Sequence, residues 1–278
     1  MPVRARTLVR KMRGGAQAHL LEADDGNFWV VKFRNNPQHR RILVNEFLAS
    51  SFLQYLQIAA PETTLVQITP DFLEANPDVH IQLGPRREAI EPGWHFGSKF
   101  PGDPGRTAVY DFLPDALLDQ VENLGQFPGM LVVDKWLSNA DSRQSIFVRA
   151  KVKEYIPTAL GHRARLGFVA LMMDHGFCFD GPYWRFSESP IQGLYFRPSV
   201  YQSVRGFDAF QPWLEQVTHF PEHILDDAMK RIPPEWLDGD EQALEDLLTR
   251  LLARRRKLPE LLKDCRRGRN DPFPNWKE

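Results

Sequence analysis

The chain has 278 residues, 42% hydrophobic and 26% charged, with 35 basic against 36 acidic side chains for a formal net charge of −1. That length supports one large domain or two lobes, and the balanced charge excludes a global field that would gather nucleic acid or anionic membrane, so any electrostatic partner must be met locally. Cys178 and Cys265 make no Cys-x-x-Cys pair, the longest apolar runs fall far short of the ~18 residues of a bilayer span, and the basic start (Arg4, Arg6, Arg10, Lys11, Arg13) has no apolar signal core, so a cytoplasmic protein with no membrane partner is expected.

Residues 3–34 read as β-structure. A turn at Arg13-Gly14-Gly15-Ala16-Gln17 is followed by a loosely alternating Ala18–Ala23, then the hairpin turn Asp24-Asp25-Gly26-Asn27 and the strand-like Phe28-Trp29-Val30-Val31-Lys32-Phe33. Pro37 breaks the pattern, and apolar residues from Ile42 to Leu56 recur at helical spacing, predicting a helix over 38–57. Thr64–Thr69, Val79–Leu83 and a short piece starting at His95-Phe96 are candidate strands. From residue 101 the pattern turns helical, at Pro114–Leu124 and Pro128–Leu137, interrupted by strand-like pieces at 145–149 and 168–173. Residues 181–206, rich in Pro, Gly and aromatics, read as loop. Helices are expected again at Pro221–Arg231 and 239–257, the latter with a stripe of Leu244, Leu247, Leu248, Leu251 and Leu252. The fold class that follows is α+β, with a small β-rich N-terminal lobe over 1–100 and a larger, mostly helical lobe over 101–278.

The chemistry concentrates at a few places. Gly14-Gly15-Ala16-Gln17 offers backbone N–H groups that can approach phosphate oxygens, although it matches no standard nucleotide motif and alone reads as an ordinary turn. Lys32 sits on a strand built for burial, where an unpaired ammonium is costly, and Glu46 sits in an apolar helix, where an unpaired carboxylate is equally misplaced. Paired, the two form the device that orients nucleotide phosphates in kinases; unpaired, they are a surface lysine and a solvated glutamate. Phosphoryl transfer to a hydroxyl also needs a base and oxygen ligands for Mg²⁺. In Asn139-Ala140-Asp141-Ser142-Arg143-Gln144, Asp141 is the candidate base, Asn139 and Gln144 are candidate amide-oxygen ligands or orienters, and Arg143 is a candidate phosphate or phosphate-loop contact. Asp174, at the end of the strand 168–173, is the candidate metal carboxylate. The plainer readings are turn caps for both aspartates. Asp134 reads as a structural partner inside its helix.

The order of glycine turn, Lys32, Glu46, Asp141 loop and Asp174-x-Gly176 resembles the protein-kinase-like fold. The strings His95-Phe96-Gly97-Ser98, Asp134-Lys135-Trp136, Asn139-Ala140-Asp141-x-Arg143-Gln144 and Asp174-x-Gly176-Phe177-Cys178-Phe179 resemble the bacterial HipA-like kinase family, over roughly residues 5–260. The resemblance implies a bilobal, ATP- and Mg²⁺-dependent phosphotransferase. In it Lys32 contacts phosphates, Glu46 anchors Lys32, Asp141 is the base, Asp174 binds Mg²⁺, and the backbone at Phe96, Gly97 and Ser98 meets adenine if His95–Phe100 connects the lobes. It also favours a protein Ser/Thr acceptor over a small-molecule hydroxyl.

Two departures stand out. Ile146 occupies the place, five residues after Asp141, where protein kinases usually put Asn, so Gln144 or Ser145 has to substitute; and His175 stands where they have Phe. These departures keep open a nucleotide-binding pseudokinase acting through protein contacts, with a metal-dependent phosphohydrolase a weaker third reading. His219 and His223 have Pro221 between them, which argues against a zinc pair. Arg254-Arg255-Arg256-Lys257 with Arg266, Arg267 and Arg269 could grip nucleic acid or lipid, but without interleaved aromatics it reads as the solvated end of a terminal helix.

Overall fold

The computed structural model describes residues 1–156 and 165–277. Strands β1 (Val3–Lys11), β2 (His19–Ala23) and β3 (Phe28–Lys32) form the expected antiparallel run, and α1 (Arg41–Tyr55) follows. β4 (Thr63–Ile68), α2 (Pro70–Ala75), the hairpin β5 (His80–Leu83) and β6 (Arg86–Ala89), and β7 (Gly93–Lys99) complete this part. The order β1-β2-β3-β7-β4 closes into a barrel through a parallel pairing of Val3 with Val66. Closure removes free sheet edges, and the alternation of β3 sends Trp29 and Val31 inward with Val66, Ile68 and Phe33, while Lys32 faces the other way. α2 went unpredicted although Thr69-Pro70 carries its start signal: Thr69 Oγ1 accepts from Phe72 N at 3.2 Å.

The remainder holds β8 (Val109–Tyr110), α3 (Asp115–Leu118), α4 (Gln126–Trp136), β9 (Gln144–Lys151), α5 (Val152–Tyr155) and β10 (Leu166–Met173), then α6 (Trp213–Thr218), α7 (Glu222–Lys230), α8 (Pro234–Leu237), α9 (Glu241–Arg254) and α10 (Leu258–Asp264). β10, β9 and β8 form an antiparallel sheet. The helix expected over Pro114–Leu124 shortens to α3. Asn123 makes a reciprocal pair with the Ala170 backbone (2.8 Å each way), and Glu122 N donates to Phe168 O, so this segment is recruited alongside β10 instead of closing helical turns. A large core joins α1 to α4, α6, α7, α9 and α10. α1 therefore packs mainly on the helical remainder, buried on nearly all sides over 42–50, which explains its lack of a polar face.

Two histidines lock the barrel in a neutral state. His95 Nδ1 accepts from Arg34 N at 2.9 Å and its Nε2 donates to Glu91 O at 3.0 Å; burial pushes its pKa down to about 3. Burial likewise pushes His19 down to about 4. Because the unfolded chain takes up these protons near pH 6.5 and the folded chain resists, the stability they allow is complete above that pH and is lost as pH falls toward 4. Each should contribute a slope of about 1.4 kcal/mol per pH unit. Urea midpoints measured from pH 7 to 4.5 are expected to drop steadily, and to drop less steeply in His95→Gln; equal slopes would show that His95 is not the group titrating.

Candidate functional site

Lys32 leaves β3 on its outer face and meets α1. Its Nζ donates to Glu46 Oε1 and, at 2.8 Å, to Asp174 Oδ1, so one ammonium bridges carboxylates from two distant parts of the chain. Burial would push the Lys32 pKa down, but Glu46 and Asp174 overcome it and raise it, so the group stays charged. Burial also works against an ionised Asp174, and Lys32 outweighs it, holding the carboxyl below its ordinary value. Glu46, only 3% exposed, is pushed up by burial and depends on Lys32 for its charge. The triad carries one net negative charge, and Asp174 keeps its second oxygen free of protein partners among the described residues.

Asp174 is presented by a turn with φ of +60°, which breaks β10 sharply and aims the carboxylate away from the strand. The turn is clamped from α1. Asn45, unnoticed in the sequence although it is a second polar residue in an apolar helix, donates to the carbonyls of Gly176, Cys178 and Gly181 at 2.7–3.0 Å and accepts from Trp184 Nε1. Gly176 must lack a side chain, because a Cβ there would lie 2.6 Å from Ile42 Cγ2. Gly176→Ala is expected to cost about 1–3 kcal/mol in urea unfolding. Adding Ile42→Ala should recover part of that; no recovery would place the conflict elsewhere.

The loop after α4 carries Asp141, which is exposed. Its Oδ1 accepts from Ser142 N at 2.7 Å and its Oδ2 from Gln144 Nε2 at 3.3 Å. Cross-strand pairing sets Gln144 opposite Met173, the residue before Asp174, so the loop's acid and the turn's acid flank one end of the β9–β10 ladder. The loop is held by backbone bonds to the Asp174 turn: Ala140 N to Phe177 O, Phe179 N to Leu137 O and Asp180 N to Ser138 O.

Several sequence expectations need correction. Arg143 is 1% exposed and every nitrogen of its guanidinium donates within the protein: Nε and Nη2 to the two oxygens of Asp134 at 2.9 and 2.8 Å, Nη1 to Met173 O and His175 Nδ1. It cannot reach a phosphate; it ties the Asp141 loop to the Asp174 turn. Asn139 is fully buried, its amide donating to Asp134 and accepting from Asp141 N, so it shapes the loop and does not face a metal. Ser145 turns inward on β9, while Gln144 is exposed and its amide oxygen is unengaged among the described residues. Phe96, Gly97 and Ser98 lie inside β7, paired with both β3 and β4, so their backbones are spent in the sheet and cannot meet adenine. Gly97 is a packing glycine, since a Cβ would lie 2.4 Å from Val66 Cγ2 in the barrel. Gln17 spends its side chain on a reciprocal 2.7 Å pair with the Gln82 backbone and its own N–H on Gly14 O. The N–H groups of Gly14, Gly15 and Ala16 have no protein acceptor among the described residues, and the side chain of Gln38 lies over Gly15.

The Asp134-Lys135-Trp136 string is structural throughout. Asp134 holds Arg143, Lys135 donates to the carbonyls of Ser189 and Pro190, and Trp136 Nε1 donates to Leu251 O. His175 stays neutral, its pKa pushed well down by burial and by Arg143, which lets it accept from that guanidinium where a phenylalanine could not.

A family profile described as HipA-like kinase matches residues 6–266. No curated protein matches the sequence. Among solved structures, the chain is similar to a crystal structure of the Golgi casein kinase with Mn/ADP bound, at 10% identity over 96% of this chain and 73% of that one, TM-score 0.47. A second crystal structure of the Golgi casein kinase aligns at 12% identity over 96% and 74%, TM-score 0.49.

Proposed function

This chain belongs to the HipA-like kinase family, and from that premise we propose that it is an ATP- and Mg²⁺-dependent phosphotransferase that moves the γ-phosphoryl group to a serine or threonine hydroxyl of a protein. The observation that carries this reading is the Lys32 ammonium held between Glu46 and Asp174. In the proposed reaction Lys32 turns to the α- and β-phosphates, held in place by Glu46, while the free N–H groups of Gly14–Ala16 face phosphate oxygens. Asp141 accepts the hydroxyl proton as the acceptor oxygen bonds to the γ-phosphorus and the bond to the β-phosphate oxygen breaks. The barrel with its hairpin and the helical remainder act as two lobes, dividing where β7 ends at Lys99.

Asp174 and the Gln144 amide fit a hard cation, because they offer oxygen donors; Mg²⁺ takes few protein ligands and leaves the rest to water and phosphate, in keeping with the absence of a three-residue His/Cys/Asp/Glu cluster among the described residues. The metal would neutralise charge on the phosphates. A polypeptide acceptor is supported by Ile191 and Phe196, 68% and 62% exposed, which flank a segment bonded to the loop through Gly193 N to Asp141 O and Arg143 N to Leu194 O.

The test is a thermal-shift titration with ATP and Mg²⁺ followed by transfer of labelled γ-phosphate. Stabilisation by MgATP that is lost in Lys32→Met, together with label on a protein acceptor, is the expected result. Stabilisation without transfer would favour the pseudokinase reading, for which Ile146 in the usual Asn place is the motivating residue. Absence of any stabilisation at millimolar nucleotide would sink both.

A further inference from the structure

Helix α1 begins against its own electrostatics. The start of a helix carries partial positive charge that favours carboxylates, yet Arg40 and Arg41 stand there and the first turn holds no acid. Both cations are answered from the link between α8 and α9. Arg40 donates to the Asp238 carboxylate at 2.5 Å and to the Asp238 carbonyl at 3.2 Å. Arg41 reaches further. Its Nε and Nη2 grip the two oxygens of Asp240 at 2.7 and 2.6 Å, and its Nη1 donates to Pro182 O at 2.9 Å. The guanidinium carbon also lies 4.3 Å from the centre of the Trp184 ring. Trp184 in turn donates through Nε1 to Asn45, the residue whose amide clamps the carbonyls of Gly176, Cys178 and Gly181. Arg41 thus fastens together α1, the segment that follows Asp174, and the α8–α9 link.

We propose that Arg41 is a positioning residue for phosphoryl transfer, fixing the separation of Glu46 and Asp174 across which Lys32 is held. The inference rests on the phosphotransferase reading. Glu46 lies about one and a half turns beyond Arg41 on the same helix, so a tilt of the helix start carries to that carboxylate. On the other side, Pro182 and Trp184 connect Arg41 to the turn that presents Asp174. A lysine would supply the charge but neither the paired bonds to Asp240 nor the flat contact on Trp184. Stability alone accounts poorly for this placement. The Arg41 and Asp240 side chains are 21% and 19% exposed, and the cation opposes the helix dipole, so the pair contributes little to folding.

The test is steady-state transfer of labelled γ-phosphate at varied MgATP, run beside urea unfolding on the same proteins. Arg41→Gln is expected to lower kcat by at least about tenfold, with KM for MgATP within about threefold and the urea midpoint near that of the parent. Asp240 makes no side-chain cap bond to α9 that its removal would break, so Asp240→Ala should reproduce most of the loss. Because both changes cut one link, the double variant should lose no more than Arg41→Gln alone. Arg40→Gln leaves the contacts to Pro182 and Trp184 in place and should transfer at close to the parent rate. Given a parent that transfers label and a Lys32→Met that does not, three results overturn this inference and leave the phosphotransferase reading standing. They are an Arg41→Gln kcat within about threefold of the parent, losses that multiply in the double variant, and activity that falls only in step with stability. A parent that transfers no label overturns the reading itself, and this inference with it.

Discussion

Asp141→Asn is expected to lower the rate of phosphoryl transfer by about 10²–10⁴-fold, the usual contribution of a positioned general base. The substitution keeps the size and shape of the side chain, so the bond from Ser142 N can persist at Oδ1, while Gln144, which donates to Oδ2, has to turn its amide over to accept from the new NH2 and the proton-accepting charge is gone. Asp141 is exposed and supports no buried partner, so the urea midpoint and the MgATP-induced thermal shift should stay near those of the parent. The loss should therefore fall on kcat with KM for ATP little changed. A variant that transfers phosphate within threefold of the parent would remove Asp141 from the chemistry and shift attention to Asp174.

Asp134→Ala is expected to be the most damaging substitution for stability, costing about 3–5 kcal/mol in urea unfolding. It would strand the Arg143 guanidinium, 1% exposed, after deleting both of its charge-assisted bonds, and it would free Asn139 as well. The Asp134 carboxylate is what holds Arg143 firmly protonated against a burial that pulls the other way. By contrast the exposed Asp103–Arg106 pair, at 3.7 Å, should be worth about 0–1 kcal/mol. Because the cost comes from an uncompensated charge, Asp134→Ala/Arg143→Met should be less destabilised than Asp134→Ala alone. A double variant worse than the single would mean that Arg143 earns stability from Met173 and His175 rather than from the ion pair.

The two departures from the kinase pattern acquire a common explanation around that ion pair. His175 replaces a phenylalanine at a point where its Nδ1 can accept from Arg143, and Gln144 takes the exposed place at the start of β9 while Ser145 and Ile146 follow the alternation of the strand. Asp134, Arg143 and His175 thus fix how the Asp141 loop and the Asp174 turn sit relative to each other. Positioning by buried polar groups of this kind is costly if any member is missing, which is why each has its partners satisfied.

What the sequence by itself determined is whatever depends on neighbours a few residues away. The Asp24–Asn27 hairpin, the alternation that put Lys32 opposite Trp29 and Val31, the helical spacing of α1 and the apolar strand ending at Asp174 are all local consequences of backbone sterics and side-chain period. Even the pairing of Lys32 with Glu46 was legible, since two misplaced charges in apolar elements have few ways to be satisfied. Tertiary structure alone decided how polar residues in the loops were spent. Arg143 and Asn139 turned inward to Asp134, Gln17 was claimed by Gln82, and the backbone of Phe96–Ser98 was consumed between two strands that are distant in sequence. A loop arginine looks the same in a sequence whether it faces phosphate or a buried carboxylate; the difference lies in which desolvated partner the fold brings within 3 Å, and that is set by packing over the whole chain.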